Sequence, residues 1–445
     1  MLLAYPVVLS QLGHVLVNFT DSVLVGKLGA VPLAAVSLGV STTTVLLVLG
    51  LGLSMGTVPL VAAADGRRDA PELGRLLTTS VWLNTLAGLL LAGLGQLVPY
   101  AMQWLGQDPA VVALAAPWAQ VMSLSLLPLM VFQGFREYAA GMGLTRQAMW
   151  LSVLANAVNV LLCYMLIFGH WGAPRMGMMG SAYATLTARV LMAGLMAAYV
   201  LRSRRLQANR AAIISWRFDG EMAYRLFHVG APIGVQMAFE MGAFSLSALM
   251  IGWLGAIPQA AHQVAINVAS ITYMAASGIA AAATIRVGNL RGAGSLPDAR
   301  QAGLAAYLLT FLFMGSMALL LILTRHWVPH IYIHDPEVVS RAATLLLIAA
   351  LFQVSDGLQV VGLGALRGLE DVKVPSVVAL LAYWAVALPL GYVLGFPLGW
   401  GAPGVWTGLL LGLTIVAGVL LLRFRRETAP GYATPAAEAE LLQAE

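Results

Sequence analysis

Apolar residues run nearly unbroken for about 20 to 30 positions at a time along this chain, as at 76–105 and 342–366, and short polar or basic clusters separate one run from the next. A helix needs roughly 20 such residues to cross a bilayer, whereas strands of a membrane barrel alternate apolar and polar positions over segments of about 10. The pattern therefore predicts helices, twelve of them, over 3–26, 32–64, 76–105, 110–135, 147–169, 178–201, 227–253, 258–287, 302–328, 338–366, 374–398 and 402–422. The fold class expected is an all-α polytopic membrane protein embedded in the lipid bilayer. Only short connectors and a tail remain outside the spans, which leaves no room for a soluble catalytic domain.

Composition agrees: 60% of the 445 residues are hydrophobic and 10% charged, against about 25% charged in soluble domains. The formal charge of +5 is a topology signal rather than a nucleic-acid one. With the N-terminus inside, 19 of the 24 Lys and Arg residues fall at cytoplasmic loops or span ends, and only Lys27, Arg175, Arg325 and Arg341 lie near outer ends, with Arg189 inside a span. The positive-inside rule thus predicts cytoplasmic termini. The first span reads as uncleaved, since Asp21 and Lys27 near its end do not form a small-residue cleavage site. No basic residue precedes it, so a shortened start is expected. The lone cysteine, Cys163, excludes an internal disulfide and a Cys-based zinc site.

The chain also repeats itself. At an offset of 226, Gly26-Lys-Leu-Gly-Ala-Val-Pro32-Leu-Ala-Ala35 matches Gly252-Trp-Leu-Gly-Ala-Ile-Pro258-Gln-Ala-Ala261, and the same offset pairs Pro6 with Pro232 and Pro71 with Pro297. Six spans return the chain to its starting side, so the halves have parallel topology about an axis along the membrane normal. The expected organisation is an N-terminal six-helix lobe at 1–201, a cytoplasmic linker at 202–226, a C-terminal six-helix lobe at 227–424 and a cytoplasmic tail at 425–445. Two such lobes suit a cavity that opens alternately to either side.

Charged side chains are costly inside a bilayer, so the acids within spans carry the most information. They are Asp21, Glu240 and Asp356. Glu240 lies 11 residues beyond Val229, near the cytoplasmic start of its span, and Asp356 lies 11 residues before Arg367; at 1.5 Å per residue both sit roughly 16 Å deep, near the midplane. If they face each other, burial and mutual repulsion make the pair a site for a proton or a small cation. The competing reading is that each hydrogen-bonds a neighbouring helix. Asp21, six residues before Lys27, could instead be a helix-end ion pair. His262 and Gln263 either line the cavity or bond between helices, and an arginine within a span, Arg189, needs a partner that the sequence does not name.

These residues resemble the MATE family, the multidrug and toxic compound extrusion transporters, in its bacterial NorM-like branch. The likeness runs through Tyr5-Pro6, Phe19-Thr-Asp21-Ser-Val-Leu-Val-Gly26, Asn156-Ala-Val-Asn159 and Leu166-Ile-Phe-Gly169, then Phe239-Glu240, Ala261-His-Gln-Val-Ala-Ile-Asn267 and Ser355-Asp356-Gly-Leu-Gln-Val-Val-Gly-Leu-Gly-Ala-Leu-Arg367-Gly. The resemblance implies export of amphiphilic, mainly cationic small molecules, driven by Na+ or H+ as coupling ion, with no cofactor, by a monomer. It implies that Glu240 and Asp356 serve cation coupling and substrate interaction, and that Asp21 joins Asn159 and Thr185 in a first-lobe cation site. Na+ would then lie at Glu240 and Asp356 or at Asp21, Asn159 and Thr185. Pro6 matches a hinge proline of span one, and Tyr273 a position near the cation site. Cys163 departs from the family pattern, because a neutral thiol is a poor ligand for hard Na+.

Three other functions compete, and one of them, a passive channel, is allowed by topology alone and would leak where an exporter moves its cargo against a gradient. A flippase of the same superfamily, moving a lipid-linked or other amphiphilic substrate, would need cationic side chains in its cavity to hold pyrophosphate, and the mid-membrane charges here are chiefly acidic. An intramembrane enzyme would need a nucleophile with its base, or an HExxH pattern, and the chain has neither.

Overall fold

The structure, a computed structural model, describes residues 4–104, 108–203 and 218–430. Most of the expected linker, at 204–217, and of the expected tail, at 431–445, lies outside the described residues. The long helical stretches are, in order, α1 (Ala4–Gly26), α2 (Ala30–Arg67), α3 (Ala70–Gln103), α4 (Pro109–Gly141), α5 (Thr145–Phe168), α6 (Met178–Arg202), α7 (Gly220–Gly252), α8 (Ala256–Gly292), α9 (Leu296–Thr324), α10 (Pro336–Gly368), α11 (Lys373–Gly395) and α12 (Ala402–Glu427). Eleven of these, α2 to α12, are long and apolar enough to cross a membrane. The 23 residues of α1 have the length as well. No strand occurs among the described residues.

Hydropathy placed the helices but understated several ends. α3 begins at Ala70, α7 at Gly220 and α9 at Leu296, six or seven residues ahead of the apolar runs at 76, 227 and 302. Hydropathy registers the length that faces lipid, whereas backbone hydrogen bonding continues into water wherever a cap supports it. Asp69 supplies such a cap for α3, accepting from the Glu72 N–H at 3.0 Å with a proline in the first turn.

Four of the stretches are interrupted, and the cause is the same each time. Proline has no N–H to give the carbonyl four residues earlier, and its ring clashes there. α2 breaks after Met55, four residues before Pro59; α3 after Gly95, four before Pro99; α4 after Leu124, four before Pro128. In α11 the turn widens into a π segment, Ala382–Ala387, around Ala385, four before Pro389. Pro117 and Pro232 are absorbed without an interruption.

The internal repeat reaches the backbone. Gly29, ahead of α2, has φ 123° and ψ 175°; Gly255, ahead of α8, has φ 113° and ψ 175°. Glycine alone occupies that region freely. Positive φ recurs likewise at Arg68 and Gly294 and at Gly143 and Glu370, and Asp108 and Asp335 cap α4 and α10 in the same way.

Residues Leu2–Ala238 and Phe239–Glu445 form two compact units, so the first part of α7 belongs with α1 to α6. In the first unit, Val25, Trp118, Cys163 and Ile167 share one core. There α2 and the start of α7 meet backbone to backbone: a Cβ on Gly52 would lie 2.2 Å from Gly234 Cα, and one on Gly56 would lie 2.6 Å from Gly230 Cα. Small residues one turn apart on each helix permit this approach. In the second unit Phe352, Trp406 and Tyr383 anchor the core between α7, α8, α10, α11 and α12.

Ion pairs hold the start of α7 to the first unit. Arg75 Nε donates to Asp219 Oδ2 at 2.7 Å, and Glu72 receives Arg67 at 2.6 Å and Arg225 at 3.0 Å. The Asp219 carboxyl is held below the usual carboxylate range, first by the N–H of Met222 and then by Arg75. A carboxyl lowered in the folded state stabilises above its unfolded pKa, about 3.9, and that stabilisation is lost as pH falls through the folded value. Protection of the α7 start against hydrogen exchange is therefore expected to stay level from about pH 8 to about pH 5 and to fall only below about pH 4. Asp219→Asn should remove that acid-limb dependence.

Candidate functional site

α7, α10 and α11 bring three polar side chains of the second unit together. Tyr383 Oη donates to Glu240 Oε1 at 3.0 Å and lies equally close to Gln359 Oε1, while Gln359 Nε2 donates to the same Glu240 oxygen at 3.4 Å. Gln353, Asp356 and Gln359 follow at three-residue steps on one face of α10, all buried. Asp356 is 5% exposed, and its Oδ1 has no hydrogen-bond partner among the described residues. Gln353 Oε1 accepts from Thr272 Oγ1 of α8 at 2.9 Å, and its Nε2 likewise meets no partner among the described residues. The charges of Glu240 and Asp356 act on each other. A buried carboxylate oxygen with no donor, beside a second carboxylate, is costly unless a proton or cation joins them.

The π segment of α11 builds this arrangement. Its neighbouring residues Tyr383 and Trp384 both reach α7 at the same level: Tyr383 meets the Glu240 side chain, and Trp384 Nε1 donates to the Phe239 carbonyl at 3.0 Å. Phe239 and Trp384 stack edge to face at 5.6 Å. A widened turn of this kind rotates side chains away from ideal helical register, and Pro389 is what opens it.

A second polar group lies in the first unit. Asp21 of α1 accepts from Cys163 Sγ of α5 at 3.1 Å; Asn159, one turn from Cys163, donates Nδ2 to Thr185 Oγ1 of α6 at 3.2 Å. Asp21, Asn159 and Thr185 thus gather around Cys163, the position where an oxygen ligand is expected and a thiol stands. The other residues singled out in the sequence fall as follows. His262 is buried and accepts at Nδ1 from Trp406 Nε1 of α12 at 3.1 Å, a bond between helices. Gln263 is exposed and bonds Asn267 along its own helix at 3.1 Å. Tyr273, 37% exposed, lies within electrostatic reach of Glu240 and Asp356. Pro6 sits in the first turn of α1.

Sequence reading missed Tyr383, Gln359 and Gln353, and did not find the partner of Arg189. That partner is Ser125, whose buried hydroxyl receives Arg189 Nη1 at 2.6 Å at the break in α4. Gln359 stands three residues after Asp356 within the quoted second-lobe motif, a spacing that signals one shared helix face. Glu137, buried on α4 and 3.3 Å from Arg136, lies just past the apolar run at 110–135 and was missed as well.

Comparison with known proteins follows the repeat. The MatE family profile matches twice, over residues 6–165 and 232–393, and the two matches begin at Pro6 and Pro232, the pair found at the 226-residue offset. A probable multidrug resistance protein NorM of Rhodopseudomonas palustris is 38% identical over 440 residues, covering 98% of this chain and 93% of that protein. A multidrug resistance protein NorM of Burkholderia vietnamiensis is 34% identical over 439 residues, covering 97% and 94%. Among solved structures, the outward-facing conformation of a multidrug resistance MATE family transporter of the MOP superfamily superposes with a TM-score of 0.88 at 20% identity, over 96% of this chain and 94% of that one. The eukaryotic MATE transporter AtDTX14 superposes with a TM-score of 0.83 at 22% identity over 96% of each. At those identities the structures establish the fold, and the doubled profile match and the near-full-length relatives establish the lineage: the chain belongs to the MatE family of transporters.

Proposed function

We propose that this chain is a multidrug exporter of the bacterial inner membrane that moves amphiphilic, mainly cationic compounds outward in exchange for Na+ or H+. It acts as a monomer with both termini in the cytoplasm. The observation that carries the reading is the second-unit site, where Asp356 keeps a buried, undonated oxygen close to a Glu240 that Tyr383 and Gln359 already hold. Such a pair accepts one positive charge at a time, whether proton, Na+ or organic cation. A coupling cation that binds the outward-open and inward-open states with different affinity shifts their populations; one that binds both equally drives nothing. Cells expressing the chain should lose a cationic dye such as ethidium against its gradient, and an anionic dye of similar size should be retained. Equal export of both dyes would contradict the cationic cargo.

Asp21 is the supporting acid in this reading. Asp21→Asn keeps the volume and removes the charge that faces Cys163, so export should fall by at least about threefold, which raises the barrier of the slowest step by at least about 0.65 kcal/mol. Membrane insertion should be unchanged. Dye efflux normalised to membrane-inserted protein measures it; an unchanged rate would make Asp21 an ordinary helix-end charge.

A further inference from the structure

A line of polar side chains runs through the first unit from an acid to a base. Asp21 accepts the Cys163 thiol proton; Cys163 Sγ lies 3.9 Å from Asn159 Oδ1; Asn159 bonds Thr185; and one turn on from Thr185, on the same face of α6, Arg189 bonds Ser125. Ser125 is fully buried and donates its own proton to the Met122 carbonyl at 2.6 Å. Its oxygen therefore remains as an acceptor for the guanidinium. Ser125 stands at the break that Pro128 makes in α4, so a distortion of one helix anchors the cation of another. The anchor keeps Arg189 from extending to the membrane surface, the usual course for an arginine in a span. The charges of Asp21 and Arg189 act on each other along this line.

Two features oppose an alkali cation here. A hard cation needs converging oxygen acceptors, yet the thiol turns a donor towards Asp21, and Asn159 has its nitrogen on Thr185 and its oxygen towards the thiol. A positive charge is also tethered at the far end of the same polar line, one helical turn from Thr185, without an ion pair to the acid among the described residues. We propose that Arg189 is the built-in counter-cation of Asp21, a specificity-determining residue that excludes alkali cations from the first unit. A coupling cation is then taken up only at Glu240 and Asp356. That last clause rests on the export reading; the exclusion itself does not.

The test reads ion binding rather than transport, so it can fail independently of the export reading. Purified protein carrying Glu240→Gln and Asp356→Asn, with the second-unit acids neutralised, is compared in NaCl and choline chloride by thermal unfolding and by 22Na+ binding. No Na+ response is expected. Adding Cys163→Asp with Arg189→Gln should create one, abolished by Asp21→Asn, whereas Cys163→Asp with Arg189→Lys, which keeps the charge, should bind Na+ about tenfold more weakly. Should the Arg189→Gln protein fail to fold, Cys163→Asp with Arg189 kept decides: Asp21-dependent Na+ binding in it overturns the proposal, and none supports it. Equal Na+ affinity in the Gln and Lys proteins would also overturn it.

Discussion

Glu240→Gln and Asp356→Asn are each expected to abolish concentrative export while the protein still inserts and folds. Both substitutions keep the volume and one acceptor oxygen, so Tyr383 can still donate to the side-chain oxygen at position 240, now an amide. What disappears is the negative charge that, on the proposed function, lets the site hold a cation in exchange for another. A loss of at least about tenfold in export rate, or roughly 1.4 kcal/mol, is expected for each. The double variant should be little worse than either single one, because the two acids act as one binding unit and their effects do not add. Dye accumulation in membrane vesicles, normalised to folded protein, provides the measurement. If both single variants export at the unsubstituted rate, these acids are helix-packing groups.

Gly230→Leu should have the largest effect on folding. A Cβ at this position would stand 2.2 Å from the Leu53 carbonyl oxygen, a backbone atom that cannot rotate away, and Gly56 approaches from the same side. α2 and the start of α7 would have to separate, at a cost of about 1–3 kcal/mol or more. Gly194→Leu supplies the control, because a Cβ there meets nothing within 4 Å. Thermal unfolding of the purified variants in detergent should show a clear loss for Gly230→Leu and almost none for Gly194→Leu; equal shifts would contradict the close crossing. Because α7 also carries Glu240, forced separation at Gly230 should impair export even in the fraction that folds.

The helices were legible because hydropathy answers one question well, which segments face lipid. Their ends were less so: α3 starts on the Asp69 cap and α9 on a proline and a polar first turn, which an apolar average dilutes. The repeat was legible as far as small residues and prolines marked it, and the matching backbone at Gly29 and Gly255 is its physical cause. Of the site, the acids stood out because a charge inside a span is expensive. Tyr383 did not, since an aromatic residue in an apolar helix reads as packing until its hydroxyl is seen to meet an acid 143 positions away. Arg189 stood out, but its partner did not, because Ser125 is 64 residues distant and buried only through the folded position of the α4 break. The four interruptions were readable in principle from each proline and the carbonyl it leaves without a donor, and the π segment of α11 shows that such a defect can set a hydroxyl against an acid of another helix.

The central claim is that an inward cation gradient drives cationic drugs outward through this chain, and purified protein in proteoliposomes tests it most directly. Ethidium movement is followed after imposing an Na+ gradient alone or a pH gradient alone, with the other ion balanced. Uphill dye movement under at least one gradient, absent when that gradient is collapsed and absent from Glu240→Gln liposomes, is the predicted result. Dye that only equilibrates under both gradients, at the same rate with and without Glu240, would contradict it.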